Sequence, residues 1–167
     1  DYALSKGSDL LVLKHLFGSY WWKHFEEYFL RACGHSLDVI KFFAARSRLT
    51  QELKSQGLYH ALSRSLGCNN ETAEYLLSLG VDPNYHEGNY SYLHYLPSAQ
   101  FLDSLVTAGL DITLPCHQSA IFHHLHSTNK MDIVNKLLNL NNQFVNGRNH
   151  SYDTPLIRCA YWIRDYG

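Results

Sequence analysis

NNETAEYLLSLGVDPN, residues 69–84, decides how the rest of the chain reads. Asn70 is a residue type that caps helix N-termini, Glu71 places a carboxylate in the first turn where the helix dipole favours it, and Gly80 followed by Pro83 supplies a stop. Ala73, Leu76 and Leu77 fall at i, i+3 and i+4 and share one face, while Glu71 and Glu74 lie elsewhere on the surface. Two turns of helix cannot bury that stripe alone, so the helix needs neighbours.

The chain offers related helices at Leu37-Asp38-Val39-Ile40-Lys41-Phe42-Phe43, at Phe101-Leu102-Asp103-Ser104-Leu105-Val106 and at residues 131–138, MDIVNKLL. With Phe42, Leu76, Leu105 and Leu137 as markers, the intervals are 76 − 42 = 34, 105 − 76 = 29 and 137 − 105 = 32. A recurring interval near thirty, with two short helices in each, is the pattern of a solenoid. Residues 25–33, with Phe25, Phe29 and Ala32 at helical spacing, predict the first helix of one such unit, and residues 58–66 and 121–125 predict those of two later ones. Ser98 is placed to cap the helix that carries Phe101, Leu102 and Leu105, and residues 156–165 predict a final helix.

Between the helices the turn chemistry predicts three short fingers. In VDPNYHEGNYSY, residues 81–92, Asn84, Gly88 and Asn89 tolerate left-handed backbone angles and can close a tight hairpin decorated by Tyr85, Tyr90 and Tyr92. Residues 113–118 and 145–152 read as the second and third. After residues 37–43 no such turn is called for: Arg46, Arg48 and Lys54 form a small basic cluster on a continuing helix or polar loop, read as a solvated face. Upstream, residues 9–17 are apolar at helical spacing, and Tyr20, Trp21 and Trp22 form an aromatic cluster read as packing.

These motifs resemble those of the ankyrin-repeat family, whose repeat is about 33 residues long and opens its first helix with Thr-Pro-Leu-His. Asp153-Thr154-Pro155-Leu156 matches that opening, with eroded versions at Ser91-Tyr92-Leu93-His94 and Ser119-Ala120-Ile121-Phe122. The family's Leu-Leu-x-x-Gly-x-Asp-x-Asn ending is matched from Leu76 through Gly80 and Asp82 to Asn84, and a copy from Leu105 to Thr113 lacks the final Asn. Gly34-His35 leading into Leu37 is similar to the family's helix–helix connection. The resemblance implies an all-α ankyrin-repeat solenoid of helix-turn-helix units joined by β-hairpin-like fingers. One domain over residues 1–167 follows, with approximate repeats at 1–18 (partial), 19–53, 54–84, 85–113, 114–146 and 147–167 (partial).

What the resemblance implies for function is a protein-interaction module binding a partner protein through its fingers and concave helix face. The partner-facing positions flank the finger turns: Tyr85, His86, Glu87 and Tyr90 in the first, Cys116 and Gln118 in the second, His150, Ser151 and Asp153 in the third. Tyrosine suits such a surface because it brings large contact area at low entropic cost. An alternative is that the chain recruits substrate for a catalytic domain elsewhere in a larger effector enzyme. The eroded motifs are similar to ankyrin segments of secreted bacterial effectors, which by analogy implies delivery into a host cytosol. Repeat-like segments at both ends, and a first residue other than Met, give the expectation of a piece of a longer protein whose other domains could be partners.

Composition excludes several classes. Lys plus Arg total 14 against 15 Asp plus Glu, a net charge of −1, so no electrostatic footprint for nucleic acid or anionic membrane exists. No apolar run approaches the ~20 residues of a spanning helix, so no membrane insertion is expected. Cys33, Cys68, Cys116 and Cys159 fall about once per repeat and read as free buried thiols, which suggests a reducing, cytoplasmic compartment. Sequons at Asn70, Asn89 and Asn149 are read as products of Asn-rich turns.

No cofactor, metal or catalytic centre is expected. Cys116, His117, His123, His124 and His126 lie close in sequence, and His123 and His126 share a helix face, but no Cys-x-x-Cys or spaced His pair completes a zinc site. Those histidines are read as polar groups on inner helix faces. Cys33/His35 and Cys116/His117 lack a third orienting group, and no phosphate loop or nucleophile elbow is present.

Overall fold

A computed structural model describes residues 24–34, 36–45, 49–64, 70–125, 130–149 and 151–166, the side chains at 64 and 162–166 excepted. The helix expected at 9–17, the cluster Tyr20, Trp21 and Trp22, and His35, Arg46, Arg48, Cys68, His126 and His150 lie outside the described residues. Helix accounts for 68% of the structure and strand for 3%, so the chain is all-α. The chain divides into two compact units, Asp1–Asp82 and Pro83–Gly167.

In the first unit, α1 (Phe25–Cys33) has the bounds its periodicity predicts, with Glu26 and Glu27 in its first turn. Phe25, Phe29, Ala32 and Cys33 are buried on one face. The Phe25 and Phe29 rings meet Phe43 of α2 (Leu37–Ala44) edge-on, with centroids 5.4 and 6.2 Å apart. α3 (Gln51–Arg64) begins at Gln51 rather than near Leu58, because Thr50 caps it: the Leu53 N–H donates to Thr50 Oγ1 over 3.1 Å. α3 crosses α1 at Gly57, where a Cβ would stand 2.7 Å from Phe29 Cε1 and 2.9 Å from Cys33 Sγ. Only a residue without a side chain allows that approach.

α4 (Asn70–Ser78) carries the stripe that opened the reading, with Ala73 and Leu76 fully buried. Asn70 is its first helical residue rather than its cap, a shift of one position. Gly80, at φ +79°, turns the chain out of the helix and Val81 drops back into the core. The Asp82 N–H then donates to Ser55 Oγ over 2.8 Å, while that buried hydroxyl donates to the Gln51 carbonyl one turn earlier in α3.

The second unit opens with a hairpin, β1 (His86–Glu87) against β2 (Tyr90–Ser91), antiparallel with His86 opposite Ser91 and Glu87 opposite Tyr90. A 3-10 helix, Tyr92–Tyr95, leads to α5 (Ala99–Thr107), which Ser98 caps by accepting from the Phe101 N–H. A second 3-10 turn, Pro115–His117, precedes α6 (Ala120–His124); α7 (Met131–Leu140), a third 3-10 turn, Asn142–Asn146, and α8 (Pro155–Tyr166) follow. Phe101, Leu102, Leu105, Ile121, Ile133, Val134, Leu137 and Phe144 form the core. α8 starts one residue before the expected 156, with Pro155 at the first helical position and the Thr154 carbonyl accepting from the Arg158 N–H.

Two loops repeat one another. Gly109, at φ +101°, closes α5 as Gly80 closes α4, Leu110 is buried as Val81 is, and the Asp111 N–H donates to Asn84 Oδ1 over 2.7 Å as the Asp82 N–H does to Ser55. The two aspartates are 111 − 82 = 29 residues apart. Of the three loops expected to be fingers, only the first forms strands among the described residues. Pro115 has no N–H to give a ladder and starts a 3-10 turn instead; another 3-10 turn, Asn142–Asn146, runs into the start of the third.

Candidate functional site

The hairpin is built to hold a few side chains outward on a fixed base. Gly88, at φ +59°, and Asn89 form its turn, with positive φ at the first central residue only, the arrangement of a II′ connection that suits strand twist. His86 and Glu87 are exposed; Ser91 and Tyr92 are buried. His86 Nδ1 lies 2.9 Å from the Gly88 carbonyl, and the Tyr85 hydroxyl donates to Glu87 Oε1 over 3.2 Å, so both tips are oriented within the finger. The half-buried Tyr85 ring stacks on Tyr92, with centroids 6.1 Å apart.

Tyr92, expected as a finger decoration, is instead fully buried, because the chain tightens into a 3-10 helix at that residue and turns the ring inward. Tyr90 is half-buried. Its ring meets His94 at 5.2 Å, His123 at 5.7 Å and Tyr95 at 6.4 Å, so it belongs to the unit's packing as well as its surface.

Beneath the finger lies a histidine–serine cluster. The Ser91 N–H donates to His94 Nδ1 over 3.0 Å, and His94 Nε2 stands 2.9 Å from Ser119 Oγ. His117 Nδ1 lies 2.7 Å from Ser91 Oγ, and His124 Nε2 lies 2.7 Å from the Leu93 carbonyl. His94, His117 and His124 are essentially inaccessible to water. Burial is the main cause that lowers their pKa values, His94 to about 3, with His123 adding repulsion, and His117 and His124 each to about 4. All three are neutral at pH 7. The expectation of hydrogen-bonded inner-face histidines fits His117 and His124, whereas His123 is exposed.

The other expected site residues are placed as follows. Cys116 is half-buried and Gln118 exposed, next to the hairpin: the Pro115–His117 turn packs on β2. The Gln118 carbonyl also abuts Gly147, where a Cβ would come within 2.6 Å of it, so the second expected finger touches the start of the third. Asn149 organises that third loop by accepting from the Ser151 and Asp153 N–H groups, each over 2.9 Å. Ser151 is exposed, Asp153 half-buried, and Tyr152 stands between them at φ +62° and 76% exposed. Tyr85, His86, Glu87 and Tyr90 therefore form one group, with Cys116 and Gln118 beside it.

Cys116 Sγ lies 3.7 Å from His117 Nδ1, but burial pushes the thiol pKa up, opposite to what an attacking thiolate needs. Among the described residues no group of three or more His, Cys, Asp or Glu side chains is arranged to hold a metal ion, and no helix is long and apolar enough to cross a membrane. Cys33, Cys116 and Cys159 are free thiols. Sequence reasoning named Ser91, Ser119 and Asn84 as helix-opening and turn residues and missed their side-chain contacts. Asn84 clips the finger's base to the next loop through the Gly109 carbonyl and the Asp111 N–H. The spacing Ser91-x-x-His94 was the available signal for one of these contacts. No family model, no curated protein and no solved structure matches the chain.

Proposed function

We propose that the chain is an ankyrin-repeat-like protein-interaction module whose hairpin finger, with the adjoining Pro115–His117 turn, contacts a partner protein. The observation that carries this reading is the exposure of His86 and Glu87 on the first strand of a hairpin whose second strand runs into buried Ser91 and Tyr92. A rigid base presenting a few oriented side chains avoids part of the ordering cost of association. The repeat-family reading is supported by the twin Gly-x-Asp loops 111 − 82 = 29 residues apart, each tied by a side chain from upstream, and by the Thr154-Pro155 helix start.

The test is affinity capture with the wild-type chain, a His86→Ala/Glu87→Ala double variant and an Asn135→Ala/Asn139→Ala control on the exposed side of α7. The reading predicts proteins retained by wild type and control and lost by the hairpin variant, with all three showing the same melting temperature. Retention by the hairpin variant of everything the control retains would move the binding surface elsewhere.

A further inference from the structure

We propose that the histidine–serine cluster beneath the hairpin is an acid-release latch, holding the finger against its unit at neutral pH and letting it go when the cluster takes up protons. The inference stands whether or not the finger binds a partner.

The geometry assigns a tautomer to His94 and to His124. His94 Nδ1 accepts the Ser91 N–H, so the neutral ring carries its proton on Nε2 and donates to Ser119 Oγ. His124 Nε2 faces the Leu93 carbonyl, which only accepts, so Nε2 carries the proton and Nδ1 is bare. His117 Nδ1 faces Ser91 Oγ, and its buried Nε2 has no hydrogen-bond partner, as His124 Nδ1 has none. Burying the imidazolium costs more than burying the neutral ring, because its charge is desolvated and the unmet nitrogen becomes an unmet donor of a charged group. Protonation therefore harms every ring. At His94 it sets an N–H against the Ser91 N–H; at His117 and His124 it buries a donor with no acceptor.

The cluster also lies where release would be local. It ties β2 and the Tyr92–Tyr95 turn to the Pro115–His117 turn and to α6. The hairpin itself has strands of two residues, so these bonds and the Tyr85 and Tyr90 ring contacts hold its second strand, while Asn84 ties its base. Helices α5 and α7 keep their own apolar core.

Among the described residues, the groups acting on the three rings are mostly unfavourable to charge. His123 of α6 repels His94 and His124, His86 of β1 repels His117, and Lys130, just ahead of α7, repels His124. Tyr90 and Tyr95 face His94 and His123, and Cys116 lies beside His117. Others oppose: the Leu93 carbonyl favours the charged His124, and the Asp111 carboxylate and carbonyl favour the charged His117, although neither reaches hydrogen-bond geometry at Nε2. Burial outweighs them.

The sign follows directly. The released rings titrate near 6.5 and the held rings near 3 to 4, so the latch is fully engaged above about pH 6.5 and weakens as pH falls toward 4. At pH 5 the opening equilibrium rises on the order of thirtyfold, relative to pH 7.5, for each histidine that release exposes.

The test is amide hydrogen exchange on the full chain between pH 7.5 and pH 4.5, corrected for intrinsic rates, comparing Ser91 with Leu105 in the middle of α5. The expected result is that Ser91 protection falls at least tenfold from pH 7 to pH 5 while Leu105 protection holds. Nitrogen shifts of the three imidazoles at pH 7.5 should report Nε2–H at His94 and His124. Constant Ser91 protection to pH 4.5, equal loss at both amides, or a charged His94 at neutral pH would each overturn the proposal. A His117→Gln/His124→Gln variant, if folded, should move the release to lower pH; an unmoved release would overturn the roles given to those two rings.

Discussion

Replacing Gly57 by alanine tests the packing of the first unit at its tightest point. In an ordinary helix interior the change stabilises by about 0.5 to 1 kcal/mol, because glycine loses more backbone freedom on folding. Here the new methyl would stand 2.7 and 3.0 Å from two atoms of the Phe29 ring and 2.9 Å from Cys33 Sγ. The ring cannot swing away: Phe29 is fully buried and its edge is set against Phe43. α3 must therefore shift off α1, and overpacking of this kind costs about 1 to 3 kcal/mol. The balance is a loss of roughly 0.5 to 2 kcal/mol, a fall in melting temperature of about 1 to 8 °C for a chain this size. Thermal unfolding followed by circular dichroism reads it directly. The same substitution in a Phe29→Leu background, where the ring is gone, should cost less than in the wild type. An increase in stability of about 0.5 to 1 kcal/mol for Gly57→Ala alone, the value for an unencumbered helix, would refute the α1–α3 crossing.

Two further substitutions probe the packing between helices and their starts. Leu76→Ala, at a fully buried position of α4, should destabilise by about 2 to 5 kcal/mol in urea titration through the cavity it opens. Ser98→Ala removes the acceptor for the Phe101 N–H and should cost about 0.5 to 2 kcal/mol by the same measurement, with Ser98→Gly costing less.

What the sequence made legible were elements whose signals are local. α1 is bounded by its own periodicity, α5 by a capping serine, α8 by Thr154-Pro155, and the hairpin by Gly88-Asn89, each within a few residues of where it acts. The start of α3 was hidden because its first turns, Gln51 to Gln56, are largely polar and Gly57 reads as a break, so only the Thr50 cap marks it. The second and third loops do not share the chemistry of the first: Pro115 starts a 3-10 turn in the second, and the 3-10 turn Asn142–Asn146 runs into the third.

The candidate site was half legible. His86 and Glu87 stand exposed on the predicted finger, and Tyr85 is oriented by Glu87. Tyr90 proved to be shared with the interior, so an alanine there would disturb packing as well as any interface. The latch was not legible. Its bonds join Ser91 to His117, His94 to Ser119 and Leu93 to His124, across 26, 25 and 31 residues, distances at which no local pattern operates.

The most direct test of the account is site-specific photo-crosslinking in cell extract, with a benzophenone amino acid replacing Glu87 on the hairpin or Asn139 on the exposed side of α7. The account predicts a discrete protein adduct from position 87 and none of the same mass from position 139. Adducts from position 139 alone, or identical adducts from both, would contradict the claim that the finger is the contacting element.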